Sequence, residues 1–213
     1  MFGMVGCGSG ADAGKASSEA EESSSSSAMS SSSESAAESS SSSAATSSSE
    51  EYVNGVRASL ADEYQKFLDV QLGMTETEVE GILGTPDDKE DESGGYVSYD
   101  YELVFDGEDA DLEVHFNPEG KVWNKTLDIL GYDFKDIFGN GNVDLSGSQR
   151  IEDGEVTTYD EVVELYGDEG ILITEDDAGS GPTYRYVWYD ANGGSSDASF
   201  REDGSLTSFV ARY

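Results

Sequence analysis

The 213-residue chain carries 46 Asp and Glu against 11 Lys and Arg, a formal net charge of −35, which repels phosphate backbones and excludes nucleic acid as a partner. One cysteine rules out an intramolecular disulfide, and with one histidine it rules out a zinc site of several thiolates or imidazoles within one chain. No apolar run approaches the roughly 20 residues that a membrane-crossing helix needs, and the acidity is read first as solubility outside the cell or in a salt-rich habitat.

At the N-terminus, Met4-Val5-Gly6-Cys7 resembles the lipobox of bacterial lipoprotein signal peptides, in which an aliphatic residue, a small or aliphatic one and a small one precede a lipidated cysteine. Gly8-Ser9-Gly10 continues that pattern, although Met4 stands where Leu is usual and only three residues precede it. The resemblance implies that residues 1–7 close a longer signal peptide and that Cys7 is lipidated, holding an extracytoplasmic protein to the outer face of a bacterial cell membrane. The alternative leaves Cys7 an ordinary thiol. Residues 8–51 form a Ser-rich linker, mostly Ser from Ser17 to Glu50 with scattered Glu and Ala and no aromatic, a composition expected to stay solvated and disordered. As a flexible coil at ~5–6 Å × √n this tether reaches about 35–40 Å.

The folded part is therefore expected from residue 52 onwards. Thr75 is placed to cap a helix and Glu78 to complete a capping box, with Met74 and Val79 as a hydrophobic staple. Gly84 is expected to end that helix in a left-handed conformation, ahead of Pro86. The pattern returns in the second half of the chain, where Thr158, Glu161, Val162, Leu165 and Gly167 match Thr75, Glu78, Val79, Ile82 and Gly84 in order and spacing. Period-two stretches follow each helix. Tyr99 to Phe105 answers Tyr184 to Tyr189, and the hairpin Leu112–Phe116 with Lys121–Thr126 answers Ala198–Phe200 with Leu206–Val210. Phe116 and Gly120 are offset from Phe200 and Gly204 by nearly the same interval that separates the two caps. The expected fold is α+β, a tandem duplication of a two-layer helix-plus-antiparallel-sheet unit, with repeat 1 at 52–128, an inter-repeat connection at 129–150 and repeat 2 at 151–213.

The run Tyr64 to Gly84, the Tyr-x-Tyr strand and the Phe-x-x-x-Gly-x-Val hairpin, present in a doubled order, resemble the repeat of the beta-lactamase inhibitory proteins. The same repeat occurs in a set of Gram-positive lipoproteins of unassigned function, and more distantly in the small outer-membrane assembly lipoproteins. The resemblance covers roughly residues 60–213. It implies two such units whose sheets join into a concave surface for a protein partner. Each unit of the known inhibitors holds a disulfide, so the single cysteine puts this chain nearer the lipoprotein branch.

With Phe116 and Phe200 facing the helices, strand alternation sends Glu113, His115, Ser199 and Arg201 to the open face. Counting on from Val122 opposite Phe116 adds Trp123 and Lys125, and the same count in repeat 2 adds Thr207 and Phe209. Arg185 and Tyr189 join them if Tyr184, Tyr186 and Trp188 are core. Trp123, Phe209, His115, Arg185, Tyr189 and Arg201 are thus the expected partner-binding residues. The competing reading covers Trp123 and Phe209 with the 129–134 segment, or shifts the parity by one.

No motif places a nucleophile beside His115, and no pair of carboxylates stands out for glycoside hydrolysis. The stretch Asn142-x-Asp144-x-Ser146-Gly147-Ser148 with Asp153 has the oxygen ligands of a calcium loop but is better read as a polar connection, and Asp106–Asp111 as a solvated hairpin loop. The expected function is a non-catalytic lipoprotein that binds an extracytoplasmic protein partner, with no cofactor and no resident metal. Its alternatives are an inhibitor of beta-lactamase or another enzyme, a structural envelope-assembly lipoprotein, and a weak calcium-binding module.

Overall fold

Alternating apolar and polar residues dominate the sequence beyond the second helix, and they build one sheet. The computed structural model describes residues 52–53, 55–131, 134–140 and 142–212; Cys7 and the Ser-rich segment lie outside them. A short pair, β1 (Tyr52–Val53) and β2 (Val56–Arg57), leads into α1 (Ala61–Asp69) and α2 (Glu76–Leu83). Then come β3 (Asp88–Asp91), β4 (Val97–Phe105), β5 (Glu108–Phe116) and β6 (Val122–Leu127). Two short helices, α3 (Phe134–Phe138) and α4 (Ser148–Glu152), precede α5 (Tyr159–Tyr166). Strands β7 (Ile171–Asp176), β8 (Thr183–Tyr189), β9 (Ser195–Arg201) and β10 (Leu206–Arg212) complete the order. From β3 to β10 the strands lie side by side in chain order, each pair antiparallel. The class is α+β.

Both expected capping boxes form. Thr75 Oγ1 accepts from the Glu78 N–H and Glu78 Oε2 accepts from the Thr75 N–H at 2.8 Å; Thr158 and Glu161 repeat the exchange. Each cap is stitched to the last hairpin of its half. Thr75 bridges Lys121 and Thr158 bridges Ser205, while the Val122 and Leu206 N–H groups donate to Met74 O and Thr157 O, both at 2.8 Å. Gly167 takes the left-handed conformation expected of it, with φ 75° and ψ 14°. Gly84 does not: its φ of 90° is positive, but a ψ of −156° leads the chain away extended.

Among the elements that the sequence reading did not place are α1, β3 and β7. In α1, Leu60 just before the helix, Tyr64 and Phe67 form a buried stripe at helical spacing. The charged β3 is exposed throughout and guards the sheet edge, and β7 buries Ile171 and Ile173 between the two halves. The acidic stretch 106–111 is not a loop. Asp106 and Gly107 alone make the turn, with φ of 54° and 91°, the left-handed two-residue form whose twist suits a hairpin, so Glu108 to Asp111 belong to β5.

Apolar side chains gather in two clusters. One lies among α1, α2 and β4–β6 and extends to Ile171, Ile173, Val187 and Tyr189; the other joins α4 and α5 to Trp188, Ala198 and Phe200. The inter-repeat connection contributes to both clusters. Ile129, Phe134, Ile137, Phe138, Val143 and Leu145 are buried, and its expected end at residue 150 falls inside α4.

The two halves of the sheet meet where β6 pairs with β7 through Asn124 and Asp176, Lys125 and Glu175, and Thr126 and Thr174. Lys125 is fully buried there. Its Nζ donates to Phe67 O at 2.8 Å and to Val70 O, lies 3.1 Å from Glu175 Oε1, and sits 4.3 Å from the Phe67 ring centre. Burial pushes the Lys125 pKa down, and Glu175 opposes that.

In urea denaturation, Thr75→Ala and Thr158→Ala should each lower stability by about 0.5–2 kcal/mol as lost N-caps. Lys125→Met should cost about 3–5 kcal/mol by leaving Glu175 without its partner. Adding Glu175→Met should restore most of that loss.

Candidate functional site

Helices cover one face of the sheet, and the register assigns each strand residue to a face. Tyr99, Tyr101, Leu103 and Phe105 of β4 point to the helix side with Leu112, Val114 and Phe116 of β5. Their alternates Asp100, Glu102 and Val104, with Asp109, Asp111, Glu113 and His115, form the other face.

The expected face assignments hold on β5, β8 and β9 and fail after a bulge in two strands. Phe116 pairs with Val122, but Val114 pairs with Lys125, so the strand slips by one residue at Trp123. Lys125 therefore lies on the helix side, beneath α1. The closing hairpin of the second half also has a register shift: Phe200 pairs with Leu206 and Ala198 with Phe209, which carries Phe209 to the helix side. There it packs against the second apolar cluster, so the expectation that Phe209 lies on the open face is corrected.

Tyr189 is corrected for a different reason. Its register places it on the open side with Arg185, yet only 3% of it is exposed and its hydroxyl donates to Ile129 O. Ile129 of the inter-repeat connection thus lies against Tyr189. Arg201 shares a face with Arg185 and Ser199 and is exposed. Its guanidinium turns to Ser205 Oγ at 3.5 Å, and it lines a groove with Tyr159, Tyr184, Tyr186 and Phe200, away from Trp123.

His115 and Trp123 are brought together, their rings 5.8 Å apart. His115 Nδ1 lies 3.1 Å from Glu92 Oε1, and Nε2 lies 3.2 Å from Glu113 Oε1. Trp123 meets Tyr96 edge-on at 5.9 Å and 77°, and its Nε1 is buried without a hydrogen-bond partner. Around these rings lies a cleft of about 630 Å³ lined by Glu92, Tyr96, Pro118, Glu119, Trp123 and Asp177. A second depression of about 580 Å³ is lined by Asp100, Asp111, Glu113, Asp128, Ile173 and Arg185.

Charge is segregated across the face. On β3 to β5, Asp88 stands opposite Asp100, Asp100 opposite Glu113, and Glu102 opposite Asp111, and like charges directly opposite one another destabilise a sheet. Desolvation raises the Asp100 pKa, and Glu113, Asp88, Glu90 and Asp111 push it the same way. At the other end, Arg185 Nε and Nη2 donate to Asp197 Oδ1 at 2.9 and 2.6 Å, and Arg212 reaches Oδ2 of the same buried carboxylate. The acids of β4 and β5 were legible as the alternates of the core aromatics; nothing in sequence spacing joins Tyr96, Glu92 and Asp177 to Trp123.

The stretch weighed as a calcium loop runs into α4. Asp144 Oδ1 accepts from the Ser146 N–H at 3.0 Å, and Asp153 Oδ1 from Gln149 Nε2 at 3.1 Å. Among the described residues no group of three or more His, Cys, Asp or Glu is arranged to hold a metal ion, and no helix is long and apolar enough to cross a membrane. The sequence matches no family model and no curated protein.

Because the folded state holds the Asp100 proton more tightly than the unfolded chain, ionisation of Asp100 costs stability as pH rises through its raised pKa. Asp100→Asn should therefore raise the melting temperature at pH 7. That gain should disappear at a pH below the ordinary carboxylate range, as read by thermal unfolding across pH.

Proposed function

We propose that this chain is a non-catalytic protein-binding module that engages its partner through the open sheet face and is held to the outside of a bacterial cell membrane by lipid on Cys7. The observation that carries this reading is the asymmetry of the sheet. Helices and apolar side chains fill one face, while the other presents Asp111, Glu113 and Val104 to solvent beside the Tyr96–Trp123 cleft. A sheet needs only one buried face to fold, so the second is available for a partner.

The fold reading is a tandem duplication of the kind found in the beta-lactamase inhibitory proteins and related lipoproteins. Its support is the recurrence, at a nearly constant interval along the chain, of a capping box, a cap-to-hairpin bridge and a bulge in the closing strand. Cys7 stands ahead of a long Ser-rich stretch, an arrangement suited to a surface tether, and two acyl chains give stable anchoring.

A photo-crosslinking side chain at Asp111 or Val210 of the full chain, both exposed on the open face, should trap the same protein from the native envelope. One at Glu80 or Glu164, exposed on the outer helices, should not. Equal trapping from both sides overturns the open-face reading. Mass spectrometry of the protein from its own host should find Cys7 diacylated, and an unmodified thiol there removes the anchor.

A further inference from the structure

Three neighbouring connections build the cleft at one end of the sheet. The turn leading into β4 is closed by the Glu92 N–H donating to Tyr96 O at 2.8 Å, and the chain leaving β7 by the Asp177 N–H donating to Trp123 O at 2.8 Å. The β5–β6 turn is held by Asn117 Oδ1, which accepts from the N–H groups of Glu119 and Lys121. The walls are therefore pinned by hydrogen bonds to backbone N–H groups.

They are also chemically selective. Tyr96 is 37% exposed and Trp123 half-buried, and the carboxylates of Glu92, Glu119 and Asp177 surround them with no Lys or Arg among the described lining residues. Anions are repelled by that wall, and a neutral apolar group would leave the carboxylates desolvated. A cation on an apolar stem satisfies both parts, its methylenes along the rings and its charge among the carboxylates. His115 holds Glu92 in place. Beyond the cleft, the facing acids Asp100, Glu113, Glu102 and Asp111 continue the negative surface along β4 and β5. A partner carrying several cations in succession relieves their mutual repulsion.

We infer that the Tyr96–Trp123 cleft receives a lysine or arginine side chain from a basic segment of a protein partner, whose further cations lie over the acidic face of β4 and β5. This rests on the open-face reading and names the chemistry of the partner. The cleft is the anchor and the acidic strands supply the attraction, so the aromatic contribution separates from the general effect of net charge.

The full chain is titrated with an acetylated, amidated tetralysine peptide, following the two indole N–H signals by NMR. The Trp123 signal should move, and that of Trp188, buried and donating to Asp168 O at 3.0 Å, should stay. Tyr96→Ala and Trp123→Ala should each weaken binding at least tenfold with circular dichroism unchanged, and Glu164→Gln on the outer face of α5 should not. Tyr96 is exposed enough for its removal to leave the fold intact if Trp123→Ala does not. Binding unaffected by Tyr96→Ala reduces the interaction to bulk charge and overturns the inference. So does spermidine binding as tightly as tetralysine, which makes the occupant a small polyamine. Either result leaves the crosslinking from Asp111 and Val210 as the separate measure of the open-face reading.

Discussion

Lys125 is where the two halves of this protein become one. An ammonium placed at the β6–β7 seam would be ruinous without partners, and it finds three: the carbonyls of Phe67 and Val70, where α1 ends, and the carboxylate of Glu175 on the neighbouring strand. The carbonyls at a helix C-terminus are unused within the helix and carry the negative end of its dipole. One cation thereby seats α1 on the sheet and ties β6 to β7. The pairing across that seam spans three residues on each strand, shorter than the pairing of β4 with β5, which runs the full length of both strands, so side-chain bonding matters more there than within either half.

The slip at Trp123 that brings Lys125 under α1 also makes the cleft. A bulge turns two consecutive residues against one on the partner strand and raises the local twist. It leaves Trp123 free to meet Tyr96 and His115 while Val122 and Lys125 both serve the helix side. In the second half the equivalent slip has another consequence. Phe209 occupies the position in β10 that Lys125 occupies in β6 and fills it with an apolar ring, and no seam lies beside it because β10 is the sheet edge. The same backbone device thus serves a buried ion pair in one half and an ordinary apolar contact in the other.

The charge pattern of the open face sets stability against recognition. Carboxylates facing each other across β3, β4 and β5 raise the energy of the folded state, whereas Arg185 and Arg212 share Asp197 and settle the far end of the face. Repulsion retained on one side of a sheet whose other side carries the apolar clusters is a form of strain that cations of a partner can release.

The sequence by itself determined the local devices: the capping boxes at Thr75 and Thr158, the helix stop at Gly167, the two aromatic strands, the direction of Phe116 and Phe200, and the placing of His115 and Arg185 on the opposite face. These follow from the chirality of the backbone and from periods of 3.6 and two, which need only near neighbours. Tertiary structure alone decided the faces of Lys125 and Phe209, because a bulge is a relation between two strands and leaves no trace in the spacing of one. It decided the burial of Tyr189 as well, since the Ile129 carbonyl that its hydroxyl meets lies 60 residues away in the chain. It decided the cleft, which joins Glu92 and Asp177 from separate connections to Pro118 and to Trp123 of β6 only when the strands between them pair.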